Sequence, residues 1–264
     1  MVTGASSGVG LELTKKLLEA DVHVCALTRS PLPDDPVVSA ALERGQLESV
    51  TGDLSLTASR EGALASVATR HATLDAIFNV AGVSLGAPEI TPQGREIHFE
   101  VNTVAPFVVL HRLRPLLARG DEKLVVNVSS NAALSVKDFD PKKLARPTSF
   151  KKLLGPYAAS KLALSQWSHA IAPELARDGL RVLSVCPGPN KTPMTAGDGM
   201  PFWLLPFRPF MFSHPSKGAA RLWEAAFESR SLSSGTFVVK GKATSIPFAD
   251  EAAEVLALVE AAVS

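Results

Sequence analysis

Residues 3–10 read Thr-Gly-Ala-Ser-Ser-Gly-Val-Gly, a glycine-rich run that lies just ahead of an amphipathic helical pattern. Glycine permits a tight turn and lets backbone N–H groups approach a phosphate closely, and the positive end of the following helix favours the anion. The hydroxyls of Ser6 and Ser7 add further hydrogen-bond donors. This stretch therefore predicts a phosphate-binding turn, although an ordinary strand-to-helix turn accounts for the same glycines.

Outward from this turn, short β-branched runs alternate with helical patterns along the chain. Apolar runs predict buried strands over 22–27, 74–79, 124–128 and 181–185. Amphipathic patterns predict helices over 10–20, 56–70, 97–119 and 157–178, and an edge strand over 235–240 and a helix over 250–263 close the chain. This alternation predicts an α/β fold, a doubly wound Rossmann-type parallel sheet flanked by helices. No internal repeat or linker is present, so residues 1–264 are interpreted as a single domain.

Composition excludes several functional classes. The net charge is +1 and the basic residues are dispersed, so no nucleic-acid partner is expected. Cys25 and Cys186 lie in apolar runs and are predicted to be buried thiols, which suits a reducing, cytoplasmic location. The six histidines lack ligand spacing, so no metal site is expected. Neither a signal peptide nor an apolar run of about 20 residues that could span a bilayer is visible.

Polar residues follow the predicted strands at positions where a ligand would bind. Arg29, Asp53 and Asn79 each stand at a strand's carboxyl end, which is the ligand-binding edge of an open α/β sheet. Arg29 falls where the ribose 2′ substituent of a dinucleotide would lie. Thr28-Arg29 offers a cation and no carboxylate, which favours a 2′-phosphate. A solvent-exposed arginine without a ligand is the alternative.

The chain contains one tyrosine, Tyr157, and Lys161 follows it four positions later on the predicted helix. Residues at i and i+4 share a helix face, so the phenol and the ammonium can occupy one site. A nearby cation favours the phenolate and would allow a phenol, with an ordinary pKa of about 10, to transfer protons near neutral pH. A surface Tyr/Lys pair is the alternative.

Residues 192–217 break the regular pattern. Methionine, phenylalanine and tryptophan side chains crowd between Pro201, Pro206 and Pro209, which forbid one regular helix. We interpret this segment as a substrate-binding loop or lid over an apolar pocket. A partner-facing patch, a peripheral contact with a membrane surface, and simple packing onto the core are alternatives.

In their order along the chain, these motifs resemble the short-chain dehydrogenase/reductase family, and among its members those acting on retinoids, steroids and varied carbonyls. The resemblance covers essentially the whole sequence. The matching elements are TGASSGVG at 3–10, GDL at 52–54, NVAG at 79–82, Asn102 in VNTVAPF, VNVSS at 126–130, YAASK at 157–161 and CPG at 186–188.

The resemblance implies an oxidoreductase that interconverts an alcohol with a ketone or aldehyde. Tyr157 would exchange the proton with the substrate oxygen, and Lys161 would lower the tyrosine pKa and hold the nicotinamide ribose. Ser130, rather than Ser129, would orient the substrate oxygen, and Asn102 would support a water path to the lysine.

The resemblance also implies the cofactor contacts. Arg29 makes NADPH the expected cofactor, with NAD the less favoured one, and the apolar segment 192–217 suggests a small hydrophobic alcohol or carbonyl substrate. Members of the family commonly form dimers or tetramers, so a homo-oligomer is expected. The implied cofactor-binding residues are Gly4, Ser6, Ser7, Gly8, Val9, Gly10, Arg29, Asp53, Leu54, Asn79, Ala81, Gly82, Tyr157, Lys161, Pro187, Gly188 and Thr192.

Three departures from the family pattern stand out. Val80 replaces a usual asparagine, and Asn190 replaces a usual valine and is expected to place a polar group near the nicotinamide carboxamide. Only Met1-Val2 stands where the family has a complete first strand, so we expect a truncated central strand, or a sequence that begins late. The truncation makes a dinucleotide-binding sensor or scaffold without turnover the alternative function.

Overall fold

A computed structural model describes residues 1–201 and 211–263. The strands are β1 Val2–Thr3, β2 Val24–Thr28, β3 Leu47–Thr51, β4 Ala76–Asn79, β5 Leu124–Val128, β6 Arg181–Cys186, β7 Phe237–Val239 and β8 Lys242–Thr244. The helices are α1 Gly8–Glu19, α2 Pro36–Glu43, α3 Thr57–Arg70, α4 Ile97–Phe99, α5 Ala105–Leu117, α6 Pro156–Leu175, α7 Pro193–Ala196, α8 Pro215–Trp223 and α9 Ala252–Ala261.

The eight strands form one sheet in the order β3-β2-β1-β4-β5-β6-β7-β8. Every neighbouring pair is parallel except β7 and β8. The strand order reverses between β1 and β4, and a ligand crevice forms at such a switch point because the two halves of the sheet wind in opposite directions. The predicted doubly wound α/β fold is confirmed.

Successive side chains of the buried strands pack alternately into two hydrophobic cores, one on each face of the sheet. On one face Cys25 and Leu27 of β2 pack with α3, α5, α6 and α9. On the other face Val24 and Ala26 of the same strand pack with α1, α2 and α8. Successive strand residues point to opposite faces of the sheet, and both faces are covered by helices. Every residue of such a strand is therefore buried, and the strand appears in the sequence as an uninterrupted apolar run.

The first strand is short, as the sequence predicts, and it lies at the centre of the sheet. Val2 pairs with Ala26 of β2 and with Phe78 of β4. The Met1 ammonium donates to the Ala76 carbonyl at 2.7 Å, and the Phe78 amide donates to the Met1 carbonyl at 2.9 Å. Met1 thereby supplies hydrogen bonds to β4 beyond the two strand residues.

Several predicted boundaries need correction. The predicted helix over 97–119 is interrupted by a π-helical segment, Glu100–Val104, which joins α4 to α5. The strand predicted over 235–240 is β7, and it is not the edge of the sheet because β8 pairs with its far side. Helices α2, α7 and α8 are absent from the sequence-based prediction. For α2, the signal is a capping aspartate followed by proline: Asp35 accepts hydrogen bonds from the amides of Val37 and Val38.

The lid prediction rests largely on side chains outside the described residues. These are Phe202, Trp203, Leu204, Leu205, Phe207 and Phe210. Within residues 1–201 and 211–263, no helix combines the length and apolar character that crossing a bilayer requires.

Candidate active site

The glycine turn is closed tightly against the loop that follows β4. Gly4 has a φ of +70°, and a Cβ there would lie 2.8 Å from the Ala81 Cα. A Cβ on Gly10 would lie 2.2 Å from the Gly4 carbonyl oxygen. Side chains larger than hydrogen therefore do not fit at either position, and the backbone of the turn stays open toward the cleft.

A cleft of about 530 Å³ runs along the carboxyl ends of the central strands, from the glycine turn to α6. The predicted site residues that line it are Gly4, Ser6, Ser7, Gly8, Val9, Gly10, Arg29, Asp53, Leu54, Ala81, Gly82, Ser130, Tyr157, Lys161, Pro187, Gly188 and Thr192. Residues distributed over most of the chain therefore converge on one surface.

Ser130 and Tyr157 form the polar pair at the α6 end of this cleft. A hydrogen bond from Ser130 acts to lower the pKa of Tyr157, but burial of the phenol is the larger effect and leaves that pKa above its ordinary value. The adjacent Ser129 faces the other way, with its hydroxyl 2.8 Å from the Ser165 hydroxyl and 3.1 Å from the Lys161 carbonyl. The Ser129 hydroxyl is therefore engaged inside the protein, and Ser130 remains the residue predicted to orient the substrate oxygen.

Lys161 is 4% exposed and lies one helical turn after Tyr157. Its Nζ donates to the Val128 carbonyl at 2.7 Å. Burial lowers the pKa of Lys161 to about 8. A Cβ on Gly82 would lie 3.4 Å from this Nζ, so the small residue at 82 leaves the ammonium its space. For the ligand-free protein the expectation that Lys161 lowers the tyrosine pKa is wrong, because burial raises that pKa and the group that opposes the rise is Ser130.

Asn102 and Asn79 are not part of the cleft wall, contrary to the prediction for Asn79. The Asn79 side chain is buried and donates to the Asn127 side chain at 2.8 Å. Asn102 lies in the π-helical segment, where its Oδ1 accepts from the Val83 amide at 2.8 Å. Its Nδ2 donates to the Val83 carbonyl at 3.0 Å and to the Ser160 hydroxyl at 3.1 Å. Asn102 thus ties the loop after β4 to α6 from behind the cleft.

The Asn190 side-chain amide is hydrogen-bonded within the turn that follows β6. Its Nδ2 donates to the carbonyls of Pro187 and Gly188 at 3.1 and 2.7 Å. A Cβ on Gly218 would lie within 2.9 Å of both amide atoms, so the side chain packs against α8. The polar group stabilises the turn after β6, although part of the residue still lines the cleft.

Both cysteines are buried free thiols, as predicted. Cys186 lines the cleft, and its Sγ accepts from the Asn131 amide at 3.2 Å. Sequence reasoning did not assign it to the site. Other lining residues that were not predicted are Leu27, Ser30, Gly52, Ser55, Val80, Val83, Ser84, Leu85, Ile97, Val101, Val128 and Ser129. Asn190 also lines the cleft, as do Pro193, Met194, Thr195, Gly197 and Asp198 of the predicted substrate-binding segment 192–217.

A separate polar cluster lies away from the cleft. The Cys25 Sγ, a carboxylate oxygen of Glu48 and a ring nitrogen of His71 lie within 4.8 Å of one another, and atoms of these kinds can bind a metal ion. Histidine spacing alone did not indicate this grouping, because Cys25 and Glu48 are brought together by the β2–β3 register and His71 follows α3. His71 Nε2 is in hydrogen-bond contact with the Glu48 carboxylate, and Arg70 lies 3.8 Å from the same carboxylate.

Comparison with known proteins places the sequence among related chains. The family profile described as enoyl-(acyl carrier protein) reductase matches residues 4–201. The short chain dehydrogenase/reductase AacuD of Aspergillus aculeatus is 32% identical over 202 residues, which cover 74% of this chain and 65% of the relative.

Solved structures share the fold. The 3-alpha-hydroxysteroid dehydrogenase from Pseudomonas sp. B-0831, complexed with NADH, has a TM-score of 0.71 at 24% identity, covering 90% of this chain and 92% of that one. The NADPH-bound carbonyl reductase from chicken fatty liver has a TM-score of 0.68 at 22% identity, covering 92% and 98%. With its motifs, its sheet and its cleft all of one type, the chain belongs to the short-chain dehydrogenase/reductase family of nicotinamide-dependent oxidoreductases.

Proposed function

We propose that the protein is an NADPH-preferring oxidoreductase that interconverts an alcohol with a ketone or aldehyde on a hydrophobic substrate. The observation that carries this proposal is the convergence of Ser130, Tyr157 and Lys161 at one end of a cleft whose other end is the glycine turn. An elongated cofactor with a phosphate-rich middle suits such a cleft, since the turn can hold phosphate while α6 presents the proton-transferring groups.

The residues present fit a dinucleotide. The absence of side chains at Gly4 and Gly10 is enforced by contacts below 3 Å, so the turn is built to keep its backbone exposed rather than to pack side chains. When bound, the cofactor supplies or accepts the hydride. Tyr157 donates the proton to the carbonyl oxygen in reduction and accepts it from the hydroxyl in oxidation, and Ser130 orients that oxygen.

Burial leaves Tyr157 protonated in the ligand-free protein, and a phenol whose pKa is raised is a weaker acid. Proton donation to a carbonyl oxygen therefore requires a neighbouring positive charge that favours the phenolate. A protonated Lys161 next to the cleft supplies a positive charge that favours the phenolate left after the transfer. Its pKa of about 8 keeps it mostly charged at pH 7.

Arg29 supports the preference for NADPH. Its exposed side chain lines the cleft directly after β2, beside Ser30. The carboxylate of Asp53, which lines the same cleft, accepts from the amide and the hydroxyl of Ser55 at 2.8 and 2.6 Å. The carboxylate of Asp35 pairs with Lys15 at 3.3 Å. The 2′-phosphate of NADPH would therefore contact the Arg29 guanidinium, and no carboxylate directly after β2 would repel it.

The wall on the α4 side supports a hydrophobic substrate. Leu85, Ile97, Val101 and Met194 line the cleft there. Ser84 and Asp198 add polar groups at its rim, where a substrate hydroxyl could bind. Apolar walls with few polar groups are typical of small-molecule sites.

A comparison of adjacent serines tests the proposal. Wild-type protein is assayed with NADPH and with NADH against linear aldehydes, aromatic aldehydes and cyclic ketones. Ser130→Ala and Tyr157→Phe should each lower kcat by roughly 100-fold or more, as expected for groups that act on the reacting oxygen, whereas Ser129→Ala should retain most of the activity. Arg29→Glu should raise the NADPH KM and leave the NADH KM nearly unchanged.

Two results would count against the proposal. NADPH binding without turnover of any compound, unaffected by Tyr157→Phe, would favour the sensor or scaffold function. Equal losses in Ser129→Ala and Ser130→Ala would remove the assigned role of Ser130.

A further inference from the structure

His98 is a buried, fully hydrogen-bonded histidine that lies behind the cleft, and none of the roles described so far uses it. It is 1% exposed, and so is Glu96, its partner two residues earlier. The His98 Nδ1 lies 2.6 Å from the Glu96 Oε1, and the Leu85 amide donates to the His98 Nε2 at 2.9 Å.

These two contacts fix the tautomer. A carboxylate accepts hydrogen bonds only, so the Nδ1 must carry a hydrogen, and a backbone amide donates only, so the Nε2 must offer its lone pair. Glu96 is itself held in place, because its other oxygen accepts from the amides of His98 and Phe99 at 2.8 and 3.1 Å. The imidazole is therefore neutral and locked in one orientation.

The His98 ring contacts two residues of the proposed active site, Leu85 and Tyr157. Leu85 lines the cleft on its α4 side. The His98 ring also lies edge-on to the Tyr157 ring, with centroids 6.2 Å apart and an interplanar angle of 83°. One side chain thus contacts the substrate-side loop through a hydrogen bond and the proton-transferring residue through its ring edge.

Asn102 repeats this arrangement four residues later. It holds Val83 through the backbone amide and carbonyl and reaches Ser160 of α6. His98 holds Leu85 and reaches Tyr157 of the same helix. The two side chains therefore fasten two alternate residues of the loop after β4 to two positions of α6.

We infer that His98 is a positioning residue for the reaction: it sets the distance between the substrate wall at Leu85 and the phenol of Tyr157. This inference rests on the proposed function of the site. Its consequence is specific, because the loop at 83–85 contacts the substrate end and the glycine turn holds the cofactor end. Loss of His98 should affect carbonyl turnover and leave NADPH affinity nearly unchanged.

Two substitutions separate the hydrogen bonds from the ring contact. His98→Gln keeps an acceptor for the Leu85 amide and a donor for Glu96, whereas His98→Phe keeps a ring against Tyr157 and loses both hydrogen bonds. We expect His98→Phe to lower kcat/KM for the best carbonyl probe by roughly 10- to 100-fold, because the Leu85 amide and the Glu96 Oε1 would each lose the hydrogen bond that His98 makes with them. His98→Gln should recover most of that loss, and the NADPH Kd should change by less than about threefold in both. His111→Gln, an exposed histidine of α5, is the control.

A second readout does not depend on turnover. Since the chain has one tyrosine, protein labelled with ¹³C-tyrosine gives a single ring signal that belongs to Tyr157. Both His98 variants should shift that signal and His111→Gln should not. Unchanged kcat/KM and an unchanged signal in His98→Phe would overturn the inference, as would equal losses in the Gln and Phe variants. If wild-type protein turns over no carbonyl, the proposed function fails, and the tyrosine signal still decides whether His98 positions Tyr157.

Discussion

Lys161 shows how far burial can move a single functional group. Its ammonium lies inside the protein and donates a hydrogen bond to the Val128 carbonyl. Burial disfavours the charged form, and this lowers the pKa of Lys161 from its ordinary 10.5 to about 8. The folded protein holds a charge that would be better solvated in the unfolded chain, so the site is kept at the expense of stability.

The lowered pKa of Lys161 makes the free energy of unfolding depend on pH. Between pH 8 and pH 10.5 the unfolded chain binds more protons at Lys161 than the folded protein does, so stability rises with pH in that window. We expect the free energy of unfolding of the wild type, relative to Lys161→Met, to rise by about 3 kcal/mol across it. Urea titrations at a series of pH values measure this difference.

Exposed Lys151→Met serves as the control and should show no comparable pH dependence relative to the wild type. A wild-type minus Lys161→Met difference that stays constant over the same range would show that Lys161 is not desolvated.

Among the secondary-structure elements, Gly10 of α1 and Gly62 of α3 are glycines in contrasting surroundings, and of these two only Gly10 is required by its contacts. Gly10 lies in the first turn of α1, and a Cβ there would be 2.2 Å from the Gly4 carbonyl oxygen. Gly62 lies within α3, and a Cβ there would meet nothing within 4 Å. The two positions separate helix propensity from the geometry of the phosphate-binding turn.

The same substitution should therefore have opposite effects. Gly62→Ala should raise the free energy of unfolding by up to about 1 kcal/mol, because alanine is the better helix former. Gly10→Ala should displace the turn, lower stability and weaken NADPH binding by roughly 10-fold, about 1.4 kcal/mol. Calorimetric binding and thermal denaturation of both variants test this. If both variants bind NADPH equally well, the close approach at Gly10 is not what shapes the turn.

For the secondary-structure elements, the sequence predicted whether a segment is a helix or a strand better than it predicted where a helix is interrupted. The apolar runs located β2, β4, β5 and β6, because each is buried on both faces and therefore reads as uninterrupted. The π-helical segment at 100–104 was not predictable from periodicity, since the apolar pattern of 97–119 continues through it. Its polar contacts join positions far apart in the chain, such as Asn102 with Val83 and Ser160.

Across the whole molecule, a buried ion pair joins the cofactor side of the sheet to the π-helical segment. Arg60 is 1% exposed, and its Nη1 lies 2.6 Å from the Glu100 Oε1 and 3.1 Å from the Leu54 carbonyl. Arg95 contacts the second oxygen of Glu100. Leu54 lines the cleft, so this network anchors the cleft wall to the element that carries Asn102.

The residues next to this pair provide a matched control. Glu61 follows Arg60 on α3 and pairs with Arg112 of α5 at 2.9 Å, but both side chains are more than a third exposed. Arg60→Met leaves the Glu100 carboxylate with fewer partners inside the protein and should cost roughly 3–5 kcal/mol of unfolding free energy. Glu61→Gln should cost at most about 1 kcal/mol. Urea denaturation of both variants measures the contrast, and similar losses would contradict the assigned burial.

The candidate site was largely predictable because each motif marks the end of a strand or the start of a helix, and parallel strands bring those ends to one edge. Arg29, Asp53, Ala81 and Ser130 meet for that reason. The pKa of Tyr157 was not predictable from its spacing to Lys161. That spacing indicates a cation nearby, but the degree of burial depends on how α6 packs, and burial raises the pKa. The contact of His98 with Leu85 likewise depends on a loop path that no local pattern specifies.

The most direct test of the central claim is the pKa of Tyr157, read from the single ring signal of ¹³C-tyrosine-labelled protein over a pH titration with and without NADP⁺. In the ligand-free protein, we predict a Tyr157 pKa above its ordinary value, and Ser130→Ala should raise it further because a hydrogen bond that lowers it is lost. Bound NADP⁺ should lower the pKa, since an oxidised nicotinamide beside the phenol adds positive charge. A Tyr157 pKa that responds neither to Ser130→Ala nor to NADP⁺ would contradict the claim that this phenol is the proton-transferring group.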